Sequence, residues 1–81
     1  MRHNLDRFAD DLIGNLADRN PEELLDSRTL ARLIHVSVQW LELGRSVGYG
    51  PPFVRLNKRV IRYRVRDVLK WLRERSEKPE R

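Results

Sequence analysis

The chain has 81 residues, of which 40% are hydrophobic and 36% charged, and a formal net charge of +5. A chain this short forms one small domain that buries about 60–65% of its unfolded surface. That excludes a large catalytic cleft, while the apolar content still supports a core and argues against full disorder.

The charge is unevenly spread. From Met1 to Asp26 three arginines face seven acids, a net of −4, whereas from Ser27 to Arg81 fourteen Lys and Arg face five acids, a net of +9. A basic block in a folded region suits a polyanionic partner, and an acidic arm does not. Cysteine is absent, which excludes disulfides and thiolate metal sites. His3 and His35 are the only histidines, and no His, Asp and Glu cluster has metal-ligand spacing, so neither metal nor cofactor is expected. The first residues lack the apolar core of a signal peptide. No run approaches the roughly 20 apolar residues of a membrane span. The expectation is a soluble, cytoplasmic, nucleoid-associated protein.

In chain order, residues 4–19 have helical periodicity, with Leu5, Phe8, Ala9, Leu12, Ile13 and Leu16 on one stripe. Asn20 and Pro21 end this helix. Its stripe has two readings: packing onto the following domain, or self-association through Leu5, Phe8, Leu12, Ile13 and Leu16. Leu24 and Leu25 enter a second unit. Ser27 is the expected cap of a two-turn helix from Arg28 to Ile34. His35, Val36 and Ser37 form a turn, in which His35 is read as a turn residue rather than a proton switch. Ser37 then caps a second helix from Val38 to about Arg45. Gly44 and Gly48 weaken its end, and residues 48–52 cannot be helical.

A hairpin follows, expected to turn through a two-residue loop of Asn57 and Lys58. That register puts Val54, Leu56, Ile61 and Tyr63 on one face, and Arg55, Arg62, Phe53 and Val60 on the other. Val65, Val68, Leu69 and Leu72 mark a final helix with Asp67 near its positive end. Tyr63 and Trp71 fit core positions. The chain thus divides into an acidic amphipathic helix and connector (1–21), a winged helix-turn-helix (22–75) and a charged flexible tail (76–81). The fold class is mainly α with a small β-hairpin.

The second helix carries the expected recognition surface. With Leu41 inward at about 100° per residue, Val38, Gly44 and Arg45 fall within about 60° of it. Gln39, Leu43 and Ser46 point away, with Trp40 and Glu42 on the flanks. In a helix-turn-helix the second helix lies in the major groove and its N-terminal residues meet base edges. The candidate DNA contacts on this helix are Ser37, Val38, Gln39, Trp40, Glu42, Leu43, Arg45 and Ser46. Gln39 can pair with adenine, and Leu43 can touch a thymine methyl. Glu42 either accepts from cytosine or repels phosphate. Ser37 is either a helix cap or a contact, and Trp40 either fills the gap between helix and wing or meets DNA. On the wing and its flank, Arg55, Asn57, Lys58, Arg59, Arg62 and Arg64 would contact phosphates or an adjacent minor groove.

Several segments taken in order resemble the MerR-like winged-helix proteins, closest to the excisionases (recombination directionality factors) and AlpA-type regulators. They are residues 24–37 (LLDSRTLARLIHVS), Leu41, residues 48–56 (GYGPPFVRL) and residues 62–72 (RYRVRDVLKWL). His35 stands where that family's turn usually has Gly, Val38 where Pro is common, and Gly44 where a larger residue is usual. The resemblance implies a non-enzymatic, sequence-specific binder of double-stranded DNA. It would assemble cooperatively at an attachment site, self-associating on DNA, and promote excision by a tyrosine integrase. Transcriptional regulation through the same surface is the alternative, and an adaptor that docks a partner on its N-terminal helix is another. No nucleophile–base or carboxylate pair lies within a motif that would suggest an enzyme.

Overall fold

The computed structural model describes residues 12–75; the outer part of the expected first helix, with Leu5 and Phe8, and the tail 76–81 lie outside them. Residues 12–17 are helical and form α1. Asn20 to Glu23 is a turn with Pro21 at its second position, where the fixed φ of proline fits. The Glu23 amide donates to the Asn20 carbonyl at 2.9 Å, and the Glu22 amide donates to Asn20 Oδ1 at 2.9 Å. The short strand β1, Leu24–Leu25, leads into α2, Ser27–Ile34.

The residue that caps α2 is Asp26, not Ser27. Its Oδ1 accepts from the Thr29 amide at 2.7 Å, and Ser27 is the first helical residue. Both types cap well, but Asp26 holds the extended backbone (φ −79°, ψ 170°) from which a side chain reaches the third amide onward. The helix stops at His35, which takes the left-handed conformation at φ 61°. Ser37 caps α3, Val38–Val47, as its sequence position suggested, accepting from the Trp40 amide at 2.9 Å. This helix runs two residues past Arg45. Gly44 is accommodated inside it, and the chain leaves the helix only at Gly48, where φ is 103°.

Two corrections concern the sheet. It has three strands in the order β1-β3-β2, all antiparallel, with β2 at Val54–Arg55 and β3 at Ile61–Arg64. The expected two-stranded hairpin therefore gains a partner from Leu24 and Leu25, which pair with Arg64 and Tyr63. The hairpin register is also one residue away from that of a two-residue loop: Val54 faces Arg62 and Arg55 faces Ile61. The cause is Asn57, whose Oδ1 accepts from the amides of both Arg59 (2.8 Å) and Val60 (3.0 Å). Asn57, Lys58 and Arg59 form the loop, and the Leu56 amide donates to the Val60 carbonyl at 2.8 Å.

A one-residue slip exchanges faces between strands. Leu25, Phe53, Arg55, Ile61 and Tyr63 lie on the core side, while Leu24, Val54, Arg62 and Arg64 lie on the outer side. Val54 and Leu56 are thus not core partners of Tyr63. Leu56 is exposed, and Phe53 meets Tyr63 edge to face at 6.4 Å.

β3 passes without a loop into α4, Val65–Arg75. The first free amides of α4 are satisfied by the connector: Val65 donates to the Glu23 carbonyl at 2.9 Å and Arg66 to that of Pro21 at 3.0 Å. Among the described residues the core is a single cluster: Leu12, Leu16, Leu25, Leu30, Ala31, Ile34, Leu41, Tyr63, Val65, Val68 and Leu69. Leu16, Leu30, Leu41, Tyr63, Val65 and Val68 are fully buried. The result is a small helix-rich domain with one antiparallel sheet, into which α1 is built.

Candidate nucleic-acid interface

The outward face of α3 follows the helical geometry. Gln39, Glu42, Leu43, Ser46 and Val47 are exposed, while Leu41 and Gly44 are buried. Val38 is half-buried and packs against the core, so little of it reaches solvent. The hydroxyl of Ser37 is engaged by its cap hydrogen bond.

Two of the expected contacts are turned away from this face. Trp40 packs against Tyr49 (centroids 4.7 Å apart) and Trp71 of α4 (6.4 Å), filling the gap between α3 and α4 rather than between helix and wing. The Tyr49 hydroxyl closes this cluster by donating to the Trp40 carbonyl at 2.9 Å. Arg45 reaches inward, where its Nη1 donates to the Tyr63 hydroxyl at 2.7 Å and to Ser27 Oγ at 3.3 Å. Its guanidinium also sits 5.9 Å from the centre of the Phe53 ring. These partners make Arg45 a tie between α2, α3 and β3, not an outward-facing cation.

The base of the hairpin adjoins the same end of α3. Arg55 lies over the same Phe53 ring at 5.8 Å, so the hairpin begins beside the Arg45 turn of the helix. Asn57, Lys58 and Arg59 are exposed at its tip. Arg62 is half-buried on the opposite side of the sheet from Arg55 and donates to its neighbour's carbonyl, Ile61 O, at 2.9 Å. The basic residues therefore bracket the hairpin instead of forming one face, which is the direct consequence of the register.

Arg62 also lies near the start of α2. The Asp26 carboxyl is held below its ordinary value first by the Thr29 backbone amide, then by the Thr29 side chain and the fields of Arg62 and Arg28. Arg64 is drawn the other way, 3.9 Å from both Glu22 and Asp67.

Among the described residues, every ion pair involves Glu22, Glu23, Asp67 or Glu74: Arg19–Glu23, Arg64–Glu22, Arg64–Asp67, Arg66–Glu22 and Lys70–Glu74. Arg28, Arg32, Arg55, Lys58, Arg59 and Arg62 take part in none of them. Between Asp26 and Asp67 the sequence has one acid, Glu42, against nine Lys and Arg. Arg28 and Arg32 belong to this basic side and are exposed, yet they do not stand out in the sequence. Their spacing of four in a helix with an apolar opposite face was the available signal.

A shallow groove of about 320 Å³ lies elsewhere, lined by Pro52, Asp67, Lys70, Trp71 and Glu74. It mixes both charges and adjoins none of the exposed α3 residues. Among the described residues no group of three His, Asp or Glu is placed to hold a metal ion, and no helix is long and apolar enough to cross a membrane. No family model, no curated protein and no solved structure matches the chain.

Of the expected self-association stripe, Leu12 and Leu16 are buried in the core and Ile13 packs against it. Leu12 and Leu16 are therefore not available to a partner, while Ile13 stays partly exposed.

Proposed function

We propose that the domain is a winged helix-turn-helix that binds double-stranded DNA sequence-specifically, with α3 in the major groove and the β2–β3 hairpin on the flanking backbone. The observation that carries this reading is the division of charge. Among the described residues Arg19, Arg64, Arg66 and Lys70 are paired with acids, whereas Arg28 and Arg32 of α2 and Arg55, Lys58, Arg59 and Arg62 of the hairpin form no ion pair, nor do Arg73 and Arg75 in the last turn of α4. Unpaired cations beside an exposed helix face of mixed polar and apolar residues match a duplex, whose phosphates supply the missing charge and whose groove admits a helix.

The ordered resemblance to excisionases and AlpA-type regulators takes the proposal further. The protein would assemble at the attachment site of a mobile element and favour integrase-mediated excision. An adaptor role for α1 is less well supported, since its leucines are committed to the core.

DNA binding is tested by titrating labelled duplex at several salt concentrations. Neutralisation of four phosphates by Arg55, Lys58, Arg59 and Arg62 gives a log–log salt slope of about −3.6. The double substitution Arg55→Ala with Arg59→Ala should flatten that slope by about 2. Absence of binding at low salt, or indifference to the double substitution, refutes the reading. An excision assay with the cognate integrase separates the two biological roles: altered transcription with unchanged excision assigns the protein to regulation.

A further inference from the structure

The chemistry left exposed on α3 is unusual for a basic domain. At about 100° per residue, Gln39, Glu42, Leu43, Ser46 and Val47 share an arc of roughly 140°. Leu43 is 55% and Val47 67% exposed, and together with Gln39 they follow one another at successive turns. Arg45, the helix's one cation, is occupied by Tyr63, Ser27 and Phe53. The outward face of α3 therefore carries neither Arg nor Lys.

Each base pair shows a distinct pattern in the major groove. Guanine is read chiefly by Arg or Lys at O6 and N7, adenine by Asn or Gln, and the thymine methyl by apolar side chains. The exposed face of α3 lacks the guanine readers and holds the other two, beside one carboxylate, Glu42, that could accept from cytosine. We infer that α3 selects an A·T-rich core site, with Gln39 on an adenine and Leu43 and Val47 on thymine methyls. This inference rests on the DNA-binding reading above. Residues 39–47 span roughly 12 Å, a window of about four base-pair steps. Charge complementarity identifies the occupant of this apolar stripe as the groove: the neighbouring Arg55 and the hairpin tip favour a polyanion over a second, equally basic copy of the chain.

The experiment begins with the best duplex recovered from a random library, then replaces all its thymines with uracils. Uracil retains every hydrogen-bonding group of thymine and lacks only the methyl. Affinity should fall about fourfold for each methyl contacted. Leu43→Ala should bind the thymine duplex more weakly and lose about fourfold of the preference for thymine over uracil, the part that Leu43 supplies. Replacement of guanines in the core site by 7-deazaguanine, which removes the N7 acceptor, should leave affinity unchanged. Equal affinity for the thymine and uracil duplexes, or loss of binding with 7-deazaguanine, overturns the inference while leaving DNA binding intact. If no duplex is recovered, both readings fall. If Leu43→Ala abolishes self-association in sedimentation and leaves the thymine preference untouched, the stripe is a protein contact and the inference is wrong.

Discussion

Arg45 shows how one side chain decides what a surface can do. Its long chain lets a residue on the inward flank of α3 reach Tyr63, whose ring is fully buried, and give its hydroxyl a partner at 2.7 Å. A hydrogen bond from a charged donor contributes about 1.5–3 kcal/mol, and a hydroxyl left without a partner adds its desolvation cost. Arg45→Ala should therefore lower stability by about 2 kcal/mol, seen as a reduced urea midpoint with an unchanged slope. The affinity of the folded variant for DNA should change less than that of Arg55→Ala. A variant that keeps wild-type stability but loses DNA affinity would make Arg45 a contact after all. The other bulky member of α3, Trp40, is equally committed, held between Tyr49 and Trp71. The helical wheel already placed Arg45 toward Leu41. What the sequence could not show was the acceptor waiting there, because Tyr63 is 18 residues away.

At the scale of elements, caps and close approaches fix the two-helix unit. Asp26 holds α2 by its bond to the Thr29 amide, and its folded pKa lies below the ordinary 3.8. A lowered carboxyl pKa contributes stability that is fully present above the unfolded value and lost as pH falls through the folded one. Asp26→Ala should cost about 1 kcal/mol at neutral pH. Asp26→Asn keeps a capping oxygen without the titration, so its stability should approach or overtake that of wild type as pH falls from about 5 to 2. Denaturant midpoints across that range test this, and a constant gap between wild type and Asn would remove the linkage. Glu23, lowered by its bond to Arg19, titrates in the same range in both proteins and cancels in the comparison. Gly44 serves the other end of the unit. A Cβ there would lie 3.0 Å from Tyr49 Cε1 and 3.1 Å from the Gly50 Cα and N, and backbone atoms cannot swing aside. Overpacking of this kind costs about 1–3 kcal/mol, more than the ~1 kcal/mol of helix propensity that glycine forgoes. Gly44→Leu should therefore lower the melting temperature by several degrees despite its better helix propensity. The capped helix α3 and the periodic helix α4 were readable from the sequence. β1 was not, since two leucines have no period and acquire strand geometry only from β3. The hairpin register also escaped, because it depends on which amides the Asn57 side chain engages.

For the molecule as a whole, the consequential feature is that α1 belongs to the same core as the two-helix unit and the sheet. Leu16 is fully buried and Leu12 is 7% exposed, in one cluster with Leu30, Leu41, Tyr63 and Val68. Removal of residues 1–20 would uncover that cluster and forfeit the burial of both leucines. Complete burial of a leucine contributes about 1.5–3 kcal/mol, so the two together amount to about 3–6 kcal/mol. Native stability of a small domain is about 5–15 kcal/mol, and a chain of 81 residues belongs near the lower end. The truncated protein should therefore be unfolded or close to it at 37 °C, with a flattened melting curve and increased binding of an apolar dye. Leu16→Ala alone should lose about 2–5 kcal/mol by opening a cavity. A truncated protein that melts cooperatively at the full-length temperature would show that α1 is dispensable to the core. Such a result would return its apolar stripe to partner binding. With the core assignment, loss of DNA binding on truncation reports unfolding, so the contribution of the acidic segment to DNA affinity is read from surface substitutions such as Asp18→Asn. Asp18 is exposed, and removal of its charge should raise affinity slightly and only at low salt.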